Sequence, residues 1–351
     1  MTPLSLIILY MKKVFLQLHI AVLLAGFTAI LGKLIMLNES LLVWWRLLIA
    51  LSVLTLWMWH KKEPVKISVK DFFKIAGVGA VVVFHWVAFY GSIKYANVSV
   101  ALVCFSATGF FTALLEPLIL RKKINYTEVF LGLLVIAGIY IIFDFYPAFK
   151  TGIIYGIVAA VGSALFPIFN KELLKQFAPR ILTLYEFIGG IIVLSMIMPL
   201  YVSVTKPGYY IPTITDFLWL LILSILCTVV MFHLQLLALK KISAFTVNLT
   251  YNLEPVYGLL MAFIFFNENK LFHSQFYVGL SLIILSIVLH SFLNARQCKA
   301  SLKPFICCLS FFWRTSKIKG IQTRKAKPRY KNTSIYASIA DCFVTMPSNT
   351  L

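Results

Sequence analysis

The residue best suited to chemistry in this sequence is Glu254, which lies in the middle of a long apolar segment. An ionisable side chain at that depth of a bilayer is costly unless it is paired or faces water, so it is a candidate binding group. Pro255 follows it, and a proline removes one backbone hydrogen bond and frees a carbonyl about one turn earlier. The polar residues around this break are Asn248, Thr250, Tyr251 and Asn252. The pattern predicts a broken, polar-lined helix at a binding site, and the alternative is a carboxylate that only fixes helix packing.

Two further charges lie inside apolar segments and follow aromatic residues, Arg46 in VWWRLLIA and Glu186 in TLYEFIGG. Their predicted depths differ by roughly 12 Å at a rise of 1.5 Å per residue, which is long for a direct salt bridge. Arg46 is better placed to reach Glu254 or an anionic ligand, because a guanidinium group holds a carboxylate or phosphate at two points. The alternative is that Arg46 extends outward to water beside Trp44 and Trp45. Glu186 is a candidate for coupling or gating, as is Pro255 at the helix break.

Histidines and hydroxyl groups supply weaker candidates. His85 and His233 each follow a phenylalanine in an apolar segment and are candidates for coupling or gating, since histidine titrates near neutral pH. The alternative is that both are hydrogen-bonded packing residues. Thr108 occupies the position that matches Glu254 in an internal repeat, and it is a candidate binding residue. Glu116 also precedes a proline, but it lies near the end of its segment, where an ion pair is expected.

Helices long enough to cross a membrane must position these residues. The composition is 61% apolar and 13% charged, and the hydrocarbon core of a bilayer takes roughly 20 helical residues to cross. The predicted fold is therefore an all-α integral membrane protein with ten transmembrane helices. The ten apolar stretches are about 15–37, 41–60, 72–92, 98–120, 125–144, 151–170, 181–204, 216–239, 243–266 and 272–293.

The pattern of apolar segments occurs twice along the chain, as an internal repeat. Lys94–Leu120 has a counterpart in Lys240–Phe266, at an offset of about 146 residues. Five spans in each copy give the two copies opposite orientations in the membrane. The predicted domains are two inverted five-helix repeats, 14–145 and 150–293, followed by a basic cytoplasmic tail, 294–351, that is expected to be disordered. Inverted repeats favour a carrier whose site opens to either side in turn.

The net charge of +20 predicts membrane topology and gives no support for a nucleic-acid partner. Lysine and arginine concentrate on alternate connections and in the tail, while the connections between them are close to neutral. This is the positive-inside pattern, and it predicts a multi-pass protein of the cell membrane with both termini in the cytoplasm. The six cysteines show no spacing typical of a zinc site, and no cofactor is expected.

The run KKISAFTVNLTYNLEPVYGLLMAFIFFNENKL, with its YNLEP and FNE, resembles the EamA-type drug/metabolite transporters, and WWRLLIA and GLLVIAGIYII fit the same family. The resemblance covers about residues 14–293. It implies ten helices in two repeats around a central cavity, with transport of small metabolites or drug-like compounds, often by proton coupling or exchange. It also implies that Glu254 and Pro255 belong to the motif of the ninth helix and that Glu268 is the usual terminal glutamate. The first repeat departs from the family pattern, because Lys122 stands roughly where a glutamate is common.

The function expected from these features is secondary active transport of a small molecule by alternating access. Glu254 would lie at a midplane site, with the proton as a candidate coupling ion, and a homodimer is compatible with the sequence. The alternative is a channel or a structural membrane protein without coupled transport. An enzyme is not expected, because the short outer connections offer no nucleophile with its base.

Overall fold

A computed structural model describes residues 3–62, 66–145, 147–242, 247, 250–251, 253–289 and 293, with side chains described for residues 13–142 and from 148 onward within these ranges. Every regular element in this part of the chain is a helix. The chain divides into two compact units, Met1–Ser286 and Ile287–Leu351. The first unit contains all but the last few described residues.

The helices follow one another through short connections. In chain order they are α1 (Pro3–Leu34), α2 (Glu39–His60), α3 (Val69–Tyr95), α4 (Val98–Phe105), α5 (Thr108–Leu120), α6 (Tyr126–Phe145), α7 (Lys150–Leu173), α8 (Pro179–Thr205), α9 (Ile214–Ser224), α10 (Met231–Lys241), α11 (Leu253–Phe266) and α12 (Ser274–Leu289). A π-helical turn, Ile225–Val230, joins α9 to α10, and 3₁₀ turns occupy Pro147–Phe149 and Glu268–Leu271.

Seven helical stretches of the described chain are long and apolar enough to cross a membrane. They are Lys13–Leu34, Glu39–His60, Val69–Tyr95, Val98–Leu120, Lys150–Leu173, Pro179–Thr205 and Ile214–Lys241. Three shorter apolar helices are Tyr126–Ile142, Leu253–Phe266 and Ser274–Leu289. The all-helical membrane class predicted from composition is thereby confirmed, while the count of ten spans and the inversion of the repeats stay predictions.

The span Val98–Leu120 is interrupted in its middle by a turn at Ser106 and Ala107, which separates α4 from α5. The Ser106 hydroxyl donates to the Val103 carbonyl at 2.5 Å, and the Thr108 hydroxyl donates to the Phe105 carbonyl at 2.7 Å. Such side-chain bonds compete with the helical ladder for its carbonyl groups. The interruption therefore arises from hydroxyl groups, with neither proline nor glycine at the turn.

The span Ile214–Lys241 contains the π-helical turn Ile225–Val230. The Thr228 hydroxyl donates to the Leu223 carbonyl, five residues earlier, at 2.8 Å. A π turn inserts one extra residue into an α-helix and is often found at functional sites. The sequence ILCTVV contains no proline or glycine, so its composition does not predict this turn.

Helix α3 lies at the centre of the described bundle and packs closely against α7 and α8. Its Gly79 approaches α8 so closely that an added Cβ atom would overlap the backbone carbonyl oxygen of Glu186. On the other side, a Cβ atom on Gly152 of α7 would lie 2.5 Å from the Cβ atom of Ala96, which follows α3. Glycine at these points is what allows the three helices to approach.

The fully buried Glu268 links α1, α4 and the turn after α11. Its Oε2 atom accepts hydrogen bonds from the backbone N–H of Ser99 at 2.8 Å and from the Ser99 hydroxyl at 2.6 Å, and its Oε1 atom accepts from Lys33 Nζ at 2.6 Å. A carboxylate at the first turn of a helix also interacts favourably with the helix dipole. Glu268 therefore holds the start of α4 in place.

Lys122, at the matching position of the first repeat, has a different contact. Its Nζ atom lies 2.9 Å from Glu116 Oε1, so the ion pair expected near the end of this helix is formed with Lys122. Glu116 is nevertheless mostly buried.

Candidate functional site

A cavity of about 60 Å³ lies between α1, α2, α3, α4, α7, α10 and the start of α11. At the 10–15 Å³ that one water occupies on this measure, it has room for about five waters. The lining residues are Ala25, Thr28, Arg46, His85, Trp86, Phe89, Phe105, Ser163, Phe166, Met231, Phe232, Gln235, Tyr251 and Glu254. The lining combines one cation and one acid with an aromatic wall.

Arg46 is 1% exposed and is held by uncharged groups. Its Nε atom donates to Thr228 Oγ1 at 2.6 Å, Nη1 donates to the Tyr90 hydroxyl at 2.8 Å, and Nη2 donates to the Cys227 carbonyl at 3.1 Å. The guanidinium carbon lies 3.7 Å from the centre of the Trp86 ring, within the range of a cation–π interaction. Arg46 therefore points inward, and it does not extend to water at the membrane surface.

The π turn supplies two of the acceptors that hold Arg46. The hydroxyl of Thr228 and the carbonyl of Cys227 both belong to Ile225–Val230, and both face the guanidinium group. Because a guanidinium group has five N–H donors, two donors remain beyond the three bonds described. The turn thus fixes the orientation of a cation at the edge of the cavity.

Glu254 stands at the start of α11 and is 5% exposed. Helix α1 approaches it closely, since a Cβ atom on Gly26 would lie 3.2 Å from the Glu254 carbonyl oxygen. Pro255 follows in the first turn of α11, where a missing backbone N–H is tolerated. Arg46 and Glu254 attract each other electrostatically, yet no ion pair within 4.0 Å joins them in the structure as described. A ligand bound between Arg46 and Glu254 would contact both side chains.

Aromatic rings form one wall of the cavity and continue behind it. Phe232 lies 5.5 Å from Trp86 and 4.9 Å from Phe166 between ring centres, and Phe187 lies 5.3 Å from Phe232. Tilted and edge-on arrangements at these separations are the favourable ones for aromatic pairs. The wall is apolar, and it suits an apolar or aromatic part of a ligand.

One buried polar atom near the cavity, the Tyr251 hydroxyl, lacks a hydrogen-bond partner within the described part of the chain. Buried polar groups are nearly always hydrogen-bonded, so groups without a partner at a cavity are available to a ligand. Among the described residues, no group of three or more His, Cys, Asp or Glu is placed to hold a metal ion.

The structure brings four of the predicted site residues together at the cavity. These are Arg46, His85, Tyr251 and Glu254, and the buried Pro255 adjoins them. Asn248 and Asn252 lie outside the described residues.

Three other predicted residues do not line the cavity. The Thr108 hydroxyl donates to the Phe105 carbonyl of its own chain segment. The ring of His233 lies 6.3 Å from that of Trp57, on another side of α10. Glu186 is buried between α3, α7 and α8, outside the lining.

The sequence alone did not identify the groups that hold Arg46. It also did not identify Gln235, whose amide lines the cavity. Gln235 is a single amide in the apolar run HLQLLAL, a signal of the kind that singled out Glu254. Thr228 and Tyr90 carry no such signal, because threonine and tyrosine are common in transmembrane helices and their partner is far away in sequence.

Comparison with known proteins gives a family and a fold. A model of the EamA-like transporter family matches residues 12–144 and again 150–292. No curated protein matches the chain. One solved crystal structure is 13% identical over 80% of this chain and 98% of its own, with a TM-score of 0.59, which supports the fold alone.

Proposed function

The chain belongs to the EamA-like transporter family, and from this premise we propose that it is a secondary transporter of a small organic compound, which binds between Arg46 and Glu254. The observation that carries the proposal is the buried guanidinium of Arg46, which has only uncharged acceptors in the described structure. A buried charge without an ionic partner is costly, and an anionic ligand group would relieve that cost.

The composition of the cavity favours an amphipathic substrate. Arg46 suits a carboxylate or a similar planar anion because its fork of N–H groups matches that geometry. The rings of Trp86, Phe166 and Phe232 suit an apolar or aromatic body, and Glu254 suits a donor group on the substrate. The cavity of about 60 Å³ is too small for such a compound, so the helices must separate for binding.

The finer features of the proposal come from the sequence. We propose ten spans in two inverted repeats, 14–145 and 150–293, which the two family matches support. The positive-inside pattern supports a place in the cell membrane with both termini in the cytoplasm. Alternating access, a proton as the coupling ion and a homodimer belong to the same proposal.

Two alternatives make different predictions. A channel or a structural membrane protein would show no saturable exchange of substrate across a sealed vesicle. An enzyme is disfavoured because members of this family are transporters. Saturable, gradient-driven counterflow of a bound compound would support the carrier over both alternatives.

The first experiment is the thermal stability of the purified protein with a panel of amino acids, nucleosides, sugars and organic anions. A ligand at about 100 times its dissociation constant stabilises the folded state by about 2.7 kcal/mol, which a melting curve resolves. We expect organic anions with an apolar body to raise the melting temperature and Glu254→Gln to abolish that rise.

The matched control is Glu116→Gln, because Glu116 is also mostly buried and also precedes a proline, but it pairs with Lys122 away from the cavity. This variant should respond to ligand as the wild type does. A ligand that stabilises Glu254→Gln as strongly as the wild type would place the binding site elsewhere.

A further inference from the structure

A second buried acid lies outside the substrate cavity. Glu186 of α8 is 1% exposed, and the amide of Asn170 in α7 is the one side-chain partner of its carboxylate within the described part of the chain. Asn170 is fully buried, and its amide has no partner besides Glu186 in the described chain. One amide donor leaves the second carboxylate oxygen and the Asn170 carbonyl oxygen without a partner, and buried polar groups are nearly always paired, so this pair calls for an explanation.

No charged partner neutralises Glu186 in the described structure. The charged residues and histidines on the helices around it are Glu39, Arg46 and His60 on α2, Lys70, Asp71, Lys74, His85 and Lys94 on α3, Lys150, Lys171 and Glu172 on α7, Arg180 on α8 itself, and His233, Lys240 and Lys241 on α10. None of them forms an ion pair with Glu186 within 4.0 Å. An isolated carboxylate in such a place carries a large desolvation cost, whereas the neutral acid does not. The surroundings therefore favour the protonated, neutral form of Glu186.

Glu186 and Asn170 lie outside the lining of the substrate cavity. Phe187, the next residue in α8, packs against Phe232, whose other neighbours include Phe166 in the cavity wall. Both polar residues lie towards the end of the bundle where residues 174–178 connect α7 to α8. The pair is thus a distinct site, outside the cavity lining and nearer one end of the bundle.

We propose that Glu186, with Asn170 beside it, binds the proton that couples to transport, a role that rests on the proposed transporter function. The site takes a proton from water onto a carboxylate oxygen, which forms an O–H bond and leaves a neutral acid. It releases the proton to water when the 174–178 end of the bundle opens. A metal cation is disfavoured because hard cations take six or more oxygen ligands, and the pair supplies three side-chain oxygens.

The close packing of α3 on α8 links protonation to conformation. Gly79 contacts the backbone of Glu186, and the Glu186 side chain is buried, so water reaches the carboxylate only if α8 moves away from α3 or α7. The neutral acid fits the closed arrangement, and the ionised form needs an open one with water. A ligand shifts such an equilibrium only to the extent that it binds one state more tightly than the other. The proton meets this condition, because the closed arrangement favours the neutral acid.

The test is infrared difference spectroscopy of the protein in lipid vesicles between acidic and alkaline pH, without any substrate. We expect a protonated-carboxyl band that disappears at alkaline pH, that is absent in Glu186→Gln, and that persists in the control Glu116→Gln. Asn170→Ala should change the pH at which the band disappears. Because glutamine resembles the neutral acid, we expect Glu186→Gln to fold. If it does not fold, Glu186→Asp takes its place, and that variant should retain a titrating carboxyl band at a changed frequency.

Three outcomes would overturn the proposal. A band that persists in Glu186→Gln and vanishes in Glu254→Gln would move the proton to the substrate cavity. A spectrum of the wild type in which no band depends on Glu186 would leave Glu186 a packing residue. Loss of the band on addition of sodium at constant pH would assign a cation in place of the proton. None of these results depends on the ligand panel. The assignment of the proton to Glu186 can therefore be disproved without disproving the proposed transporter function.

Discussion

Arg46 Nε donates to Thr228 Oγ1 at 2.6 Å, and the same Thr228 hydroxyl donates to the Leu223 carbonyl at 2.8 Å. One hydroxyl thus accepts from a buried cation on α2 and closes a π turn between α9 and α10. Hydrogen bonds in series polarise one another, and each strengthens the next. The orientation of Arg46 and the shape of the π turn therefore depend on each other.

Thr228→Val tests this dependence, because valine has nearly the same shape without the hydroxyl. Loss of an acceptor for a buried charged donor should lower the free energy of unfolding by about 1–3 kcal/mol. The control is Thr183→Val, since the Thr183 hydroxyl is also buried but donates only to the Pro179 carbonyl of its own helix. It should change stability by less than about 0.5 kcal/mol. Equal losses in the two variants, measured by thermal unfolding, would contradict a special role for Thr228.

Gly79→Ala tests the contact between α3 and α8. The added methyl group would meet the Glu186 carbonyl, and such overpacking costs about 1–3 kcal/mol of stability. Gly77 is two residues earlier in the same helix and has no atom near its potential Cβ position. Gly77→Ala should therefore raise stability, by about 0.5–1 kcal/mol, through helix propensity. A Gly79→Ala variant as stable as Gly77→Ala would show that α3 and α8 are further apart than described.

Glu268→Gln tests the link between α1 and α4. The substituted amide would keep an acceptor for Ser99 but lose the charge that Lys33 and the helix start require, at a cost of about 2–3 kcal/mol. The exposed ion pair Glu172–Lys175 provides the control, and Glu172→Gln should cost less than about 1 kcal/mol. A double variant with Lys33→Met should lose less than the sum of the two single losses. Strict additivity would argue against a direct interaction of Lys33 with Glu268.

The sequence was sufficient for the class, the family and two of the main cavity residues. Long apolar runs predict spans because the bilayer sets their length, and this holds for α1, α2, α3, α7 and α8. Arg46 and Glu254 were found because a charge in such a run is rare and costly. Their meeting at one cavity follows from that cost, since buried charges collect where polar groups can face each other.

The interruptions of the helices were not predictable from composition. The break at Ser106 arises from hydroxyl bonds to nearby carbonyls, and serine makes such bonds in many intact helices. The π turn at Cys227 and Thr228 is stabilised in part by Arg46, a partner some 180 residues away in sequence. Local pattern carries no information about a contact of that kind, and for the same reason the pairing of Glu186 with Asn170 was not expected.

The opposite charges of Arg46 and Glu254 determine how the membrane voltage acts on this protein. One elementary charge that crosses the membrane potential changes energy by about 2.3 kcal/mol per 100 mV. In an alternating carrier, Arg46 and an ionised Glu254 would move through part of the field together with no net charge, and a bound anion would make the site negative. A negative cell interior would then favour the loaded site turned outward, while the empty protein turns without electrical work.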